Sequence, residues 1–163
     1  LQTISEEINS LFGGQVRVRA CGICVHNEQI LMVRHEMYGS CEPFWSPPGG
    51  GIQFGETAGQ AVLREFQEET GLHVQVGRFL FLNEHIQPPL HAVELFFEIT
   101  AFEGRMISGI DPEMSAKGQI IKEVKLMSWP EIKSLKDNQV HRIFSLAETL
   151  QDFFKLDRYI SVG

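Results

Sequence analysis

The chain has 163 residues, 43% hydrophobic and 21% charged, the balance of a globular protein, which excludes a disordered chain, a collagen and a coiled coil. That length predicts one α/β domain over residues 1–163, with a core that needs neither disulfides nor a structural metal. A net charge of −7 excludes a basic footprint for duplex nucleic acid or an anionic membrane, so any phosphate must be bound locally, by a few cations, backbone N–H groups or metal ions.

Residues 3–12 predict a short helix capped by Thr3 or Ser5, with Ile4, Ile8, Leu11 and Phe12 as its apolar stripe and Gly13-Gly14 as its stop. Val16 to Val25 reads as a strand, Asn27-Glu28 as a turn, and Gln29 to Arg34 as a second strand. Glu36 to Pro48 reads as irregular, broken by Gly39, Pro43, Pro47 and Pro48. After three glycines at 49–51, a helix fits Thr57 to Thr70, closed by Gly71. Leu72 to Leu82 and Ala92 to Phe102 are strand-like, and a loop with Gly104, Gly109 and Pro112 leads to a further strand over Gln119 to Met127. Pro130 opens a short helix, and Val140 to Phe154 carries helical spacing. This order predicts layered α/β architecture.

The chemistry is concentrated in the 57–70 helix. At 100° per residue, Ala58, Ala61, Val62 and Phe66 share a side, and that stripe runs on into Glu65, Glu68 and Glu69. An acidic cluster can simply solvate a helix. Here Gln60, Arg64 and Gln67 already supply a solvent side, and the three acids repel one another close to the helix C-terminus, where the dipole disfavours anions. Divalent cations would remove that repulsion, and oxygen-only ligands select hard ions, Mg²⁺ or Mn²⁺. Upstream, Pro47-Pro48-Gly49-Gly50-Gly51 lets backbone come close to a ligand, with N–H groups for phosphate and carbonyls for a metal.

Read from Gly50, the chain runs Gly50, five residues, Glu56, seven residues, then Arg64-Glu65-Phe66-Gln67-Glu68-Glu69-Thr70-Gly71-Leu72. This stretch, 50–72, resembles the box of the Nudix (MutT-like) hydrolases, G-x5-E-x7-R-E-U-x-E-E-x-G-U, where U is a bulky aliphatic. Every fixed Gly, Glu and Arg is in register, and Phe66 departs only by being aromatic. The resemblance implies an α/β/α sandwich around a mixed curved sheet. It implies Mg²⁺-dependent hydrolysis of the pyrophosphate bond of a nucleoside diphosphate linked to another moiety. It makes Glu65, Glu68, Glu69 and the Gly49 carbonyl the expected metal ligands, with Glu68 and Glu69 counted also as catalytic. Arg64 is expected to pair with Glu56 and orient the carboxylates. Gly50 and Gly51 are expected at the substrate.

The resemblance also suggests a phosphate-binding role for Arg34, whose alternative is a solvated strand end. It suggests a late catalytic Glu, Glu123 with Glu113 as its rival. Pro88, sixteen residues past Leu72, matches a mark of the ADP-ribose pyrophosphatase branch and equally a plain loop breaker. Phe44 and Trp45 could stack on a base or pack in the core. Cys21 and Cys24 spell C-x-x-C, but three apart on a strand they face opposite sides, and Cys41 stands alone, so no zinc or redox site is expected.

The expected partner is therefore a nucleotide-derived small molecule, either an ADP-ribose or nucleotide-sugar type or a nucleoside triphosphate, with no duplex nucleic acid and no membrane. A homodimer is the alternative to a monomer. Absence of a basic n-region and of a long apolar run points to the cytoplasm. The competing functional class is a non-catalytic nucleotide sensor on the same fold, against which the complete set of three Glu argues. An isomerase would need a catalytic Cys, for which Cys41 is a weak candidate.

Overall fold

A computed structural model describes residues 9–36, 43–108 and 121–160. Thr3, Ile4, Ser5, Ile8, Cys41, Gly109, Pro112 and Glu113 lie outside the described residues. Eight strands are named: β1 (Val16–His26), β2 (Gln29–Glu36), β3 (Pro43–Ser46), β4 (Gly49–Gly51), β5 (His73–Gln87), β6 (Leu90–Glu103), β7 (Ile121–Ser128) and β8 (Tyr159–Ile160). The helices are α1 (Ala58–Thr70), α2 (Trp129–Lys133) and α3 (Leu150–Phe153), with a 3₁₀ turn over Arg142–Leu146. Residues 9–12 are helical.

The sheet is mixed, with the order β3-β2-β1-β6-β5-β8, while β4 pairs with β1 and β7 with β2. Hydrogen bonding along β1 is divided. Its tip turns back into β2 at His26↔Gln29, through Asn27 and Glu28, both at positive φ. Val16 to Cys24 run parallel to β6 on one side, and Arg19 to Cys21 run antiparallel to β4 on the other, with Cys21 opposite Gly49. That division wedges the glycine segment into the sheet. Alternation along β1 then feeds two cores. Cys21 and Ile23 pack with Phe81, Phe96, Phe144 and Phe153, while Ala20 and Cys24 pack with Ala61, Val62 and Phe66 of α1. The two cysteines thus face opposite sides. Gly22 explains how the aromatic Phe66 is accommodated: a Cβ there would come within 2.5 Å of its ring.

Three expectations are corrected. Residues 43–46 form an edge strand within the stretch read as irregular; Pro43 stands at its first position, where a missing N–H costs no ladder bond. The hairpin strands β5 and β6 extend beyond their predicted ends and leave only Pro88-Pro89 as the turn. The continuous helical spacing of 140–154 is broken. Val140 bridges to Trp45, His141 caps the 3₁₀ turn, Ala147 is extended, and Thr149 caps α3 afresh by accepting from the Asp152 N–H. The apolar period survives because Ile143, Phe144 and Phe153 all enter the same core.

Candidate active site

Local chemistry fixes α1 at both ends. Thr57 accepts from the Gln60 N–H, and the Gln60 side chain accepts from the Thr57 N–H, a reciprocal cap. At the other end Gly71 is left-handed, at φ 73°, and its N–H donates to the Gln67 carbonyl. The helix lies against β1, β4 and β5. Its inward face is apolar at first and acidic at the end, with Glu65 at 6% and Glu69 at 4% exposure.

Buried carboxylates need partners, and two kinds of group supply them. Glu69 Oε2 accepts the Gly49 N–H at 2.9 Å. Arg64 donates from Nη1 to Glu65 Oε1 at 2.7 Å and to Glu68 Oε2 at 3.0 Å. Its Nε donates to Glu56 Oε1 at 2.9 Å, and its Nη2 to Glu56 Oε2 at 3.0 Å and to the Gly51 carbonyl at 2.9 Å. Arg64 therefore does not belong to a solvent side, as helix geometry alone suggested. Its guanidinium bends back over the acids, being the helix's own cation among three carboxylates. Glu56 is itself aimed by its turn, where its Oε2 accepts the Gln53 N–H. The hydrogen bond from Arg64 pulls the Glu56 carboxyl below the usual range, more than burial raises it. The same bond holds the Arg64 guanidinium above its ordinary value.

The glycines touch this cluster closely. A Cβ on Gly50 would run into the Glu65 carboxylate, and one on Gly49 would meet the Cys21 Cα at 2.6 Å. No side chain can stand between the turn and the acids. The Gly49 carbonyl accepts from Arg19 Nη2 at 3.0 Å. Among the described residues, no three His, Cys, Asp or Glu are gathered around a point that could hold an ion. Arg64 and the Gly49 N–H hold the three carboxylates in separate bonds instead. The donor set nonetheless fits a hard divalent ion: carboxylate and carbonyl oxygens only, with a guanidinium already bridging Glu65 and Glu68.

Arg34 and Glu123 face each other across the β2–β7 register, with Nε 3.4 Å from Oε2, so these two candidates are paired with each other at a bulge. Trp45 is buried in the core, and Phe44 lies beside His141 with ring centroids 6.5 Å apart. His35 Nε2 lies 3.0 Å from Ser46 Oγ. Burial first, then the charge of Arg19, pushes the His35 imidazole down to about 4. A second polar assembly was not foreseen from the sequence. Glu94, 2% exposed, binds Arg19, Asn83 and His141 on the sheet face away from α1. Asn83 and Glu94 face each other across the β5–β6 hairpin, while Arg19 and His141 come from segments far away in the chain, so no motif announces the assembly.

A mixed sheet, an acid-ended helix and a glycine turn pressed against it are the arrangement that the resemblance to the Nudix hydrolases implies. The comparisons with known proteins agree. The NUDIX domain model of that family matches residues 16–147. The chain belongs to the Nudix family. It is 29% identical over 92 residues to an 8-oxo-dGTP diphosphatase of Proteus vulgaris, a match covering 56% of this chain and 82% of that protein. It is 30% identical over 95 residues to an ADP-ribose pyrophosphatase of Methanocaldococcus jannaschii, covering 55% of this chain and 54% of that one. Its fold matches a MutT NUDIX hydrolase from Burkholderia pseudomallei at a TM-score of 0.65 and 24% identity, covering 83% of this chain and 99% of that one. Nudix hydrolases generally use a divalent metal. Among the described residues no helix is long and apolar enough to cross a membrane.

Proposed function

We propose that this chain is a Mg²⁺-dependent hydrolase of a nucleoside diphosphate linked to another moiety, acting through the 49–72 segment as one domain. The observation that carries this reading is the contact of the acidic face of α1 with the glycine turn, with Glu69 on the Gly49 N–H and Glu65 against Gly50. Glu65, Glu68, Glu69 and the Gly49 carbonyl would hold Mg²⁺ or Mn²⁺. When bound, such ions neutralise the pyrophosphate and lower the pKa of water. Arg64 and Glu56 keep the carboxylates oriented; their two-pronged pairing is the geometry that suits a guanidinium. Glu68 is the most accessible of the three acids, at 25% side-chain exposure, which suits a proton acceptor. Arg34 would take a phosphate oxygen and Glu123 would assist, both after exchanging their mutual pairing for substrate. Backbone at Gly50 and Gly51 lines the approach.

Two of the relatives are named for an 8-oxo-dGTP and an ADP-ribose activity, so both substrate types belong in the test. The purified chain is offered ADP-ribose, nucleotide sugars and nucleoside triphosphates with Mg²⁺, with Mn²⁺, and with excess chelator. Turnover of at least one substrate, abolished by chelator, is the expected result. Binding of nucleotide with no turnover under any metal would turn the reading to a sensor.

A further inference from the structure

We propose that Arg19 is a positioning residue for the carboxylate site, acting through the backbone of Gly49, and that Glu94, Asn83 and His141 serve to hold its guanidinium in place. The inference rests on the reading of Glu69 as a metal ligand. Gly49 has no side chain to anchor it, yet both of its backbone polar groups are held. Its N–H is held by Glu69 Oε2 at 2.9 Å and its carbonyl by Arg19 Nη2 at 3.0 Å. A displacement of Gly49 is therefore a displacement of the Glu69 carboxylate.

The other end of Arg19 is held more firmly still. Nη1 donates to Glu94 Oε1 at 3.0 Å. Glu94 Oε2 accepts from Asn83 Nδ2 and from His141 Nε2, each at 2.9 Å. The Ile143 N–H donates to His141 Nδ1 at 3.4 Å, which selects the tautomer that can donate to Glu94. Three donors from three segments thus fix one carboxylate, and that carboxylate fixes one guanidinium. Stability alone is a poor reason for such an assembly, because apolar residues of equal volume often serve a core as well. Its outlet toward the acidic face of the molecule is the bond to Gly49. A planar fork can hold Glu94 and Gly49 at a set angle; an ammonium group cannot span both.

The test uses Arg19→Lys in the full chain, with Glu69→Gln as reference. Lysine keeps a positive charge opposite Glu94 and so protects the fold. The metal-free protein is examined first, by the amide resonance and hydrogen exchange of Gly49. Mn²⁺ affinity is then measured from the signal of free Mn²⁺, and kcat and KM on a substrate that turns over. The expected result is a shifted, faster-exchanging Gly49 amide with Phe96 unchanged, and Mn²⁺ affinity and kcat each down about tenfold with KM little altered. If Arg19→Lys unfolds, the paired variant Arg19→Met with Glu94→Leu removes both charges and carries the same expectation. A folded variant with a wild-type Gly49 amide overturns the coupling. A shifted Gly49 amide with unchanged Mn²⁺ affinity also overturns it, provided Glu69→Gln has lost Mn²⁺. Wild-type Mn²⁺ affinity in Glu69→Gln instead defeats the metal-ligand reading and with it the inference.

Discussion

The two faces of the sheet handle charge in opposite ways. On the α1 face, Glu56, Arg64, Glu65, Glu68 and Glu69 come from one short stretch, and Arg64 shares its donors among three acids and a carbonyl. On the far face, one carboxylate, Glu94, gathers Asn83 from its hairpin partner strand and Arg19 and His141 from distant segments. Side-chain exposure separates two of the carboxylates but not the cations: 25% for Glu68 against 3% for Glu94, while Arg19 at 27% is as open as Arg64 at 20%. The first cluster is open to another cation at Glu68, its most accessible carboxylate. The second is locked, and its bonds have no cheap replacement. Burial holds against Glu94, but His141, Arg19 and Asn83 together keep its carboxyl far below the ordinary range. On the proposed reading, a site that exchanges ligands is thus built beside one that does not.

The largest effect is expected on the exchangeable face. Glu69→Gln removes a charge and almost no volume, so the melting temperature should change little. Loss of one anionic ligand should lower kcat about a thousandfold, equivalent to about 4 kcal/mol of transition-state stabilisation. Steady-state kinetics at saturating Mg²⁺ checks it, and near-wild-type kcat would remove the functional half of the comparison.

The locked face predicts a stability effect of similar size. Glu94→Leu leaves Arg19, Asn83 and His141 without their shared acceptor, at a cost of about 3–5 kcal/mol. Adding Arg19→Met should return the part due to the stranded charge, while Asn83 and His141 remain without their acceptor. Urea unfolding of the single and double variants measures both. A loss below about 1 kcal/mol in the single variant would show that the far face yields as easily as the near one.

The same contrast explains what the sequence could tell. Helix periodicity ties Glu65 to Glu69 and both to Val62, so the acidic face of α1 follows from spacing alone, as its stop follows from Gly71. The orientation of Arg64 does not follow, because a long side chain on the flank of a helix can turn either way, and its acceptors decide. The Arg19–Glu94 pair was illegible for a different reason. It depends on the parallel register of β1 with β6, which sets Arg19 opposite Glu94, and a parallel pair leaves no local trace. The broken helix at 140–154 failed likewise, because the bridge from Val140 to Trp45 is a long-range bond that overrides local spacing. The Nudix resemblance pointed to the 50–72 stretch and was silent on what packs behind it.

The smallest effect concerns His35, which lies near enough to Arg19 to feel its charge. Its imidazole is pushed down to about 4 by burial and then by Arg19, against about 6.5 in the unfolded chain. Between those values the unfolded chain binds a proton that the folded chain refuses. Stability therefore falls as pH drops from about 6.5 to about 4, and the contribution levels off below that. From pH 7 to pH 5 the loss assignable to His35 is about 2 kcal/mol. Burial lowers His85 as well, in the same direction, so the wild-type slope contains both. Glu56 and Glu94, whose folded values are depressed, lose their contribution only below about 4.5 and leave this window nearly undisturbed. His35→Asn removes the titrating group. Urea unfolding of wild type and variant at pH 7 and pH 5 should show a smaller drop in the variant, by about 2 kcal/mol. Equal drops would mean that His35 accepts its proton in the folded chain, and hence that the groups around Arg19 can rearrange to admit a second positive charge.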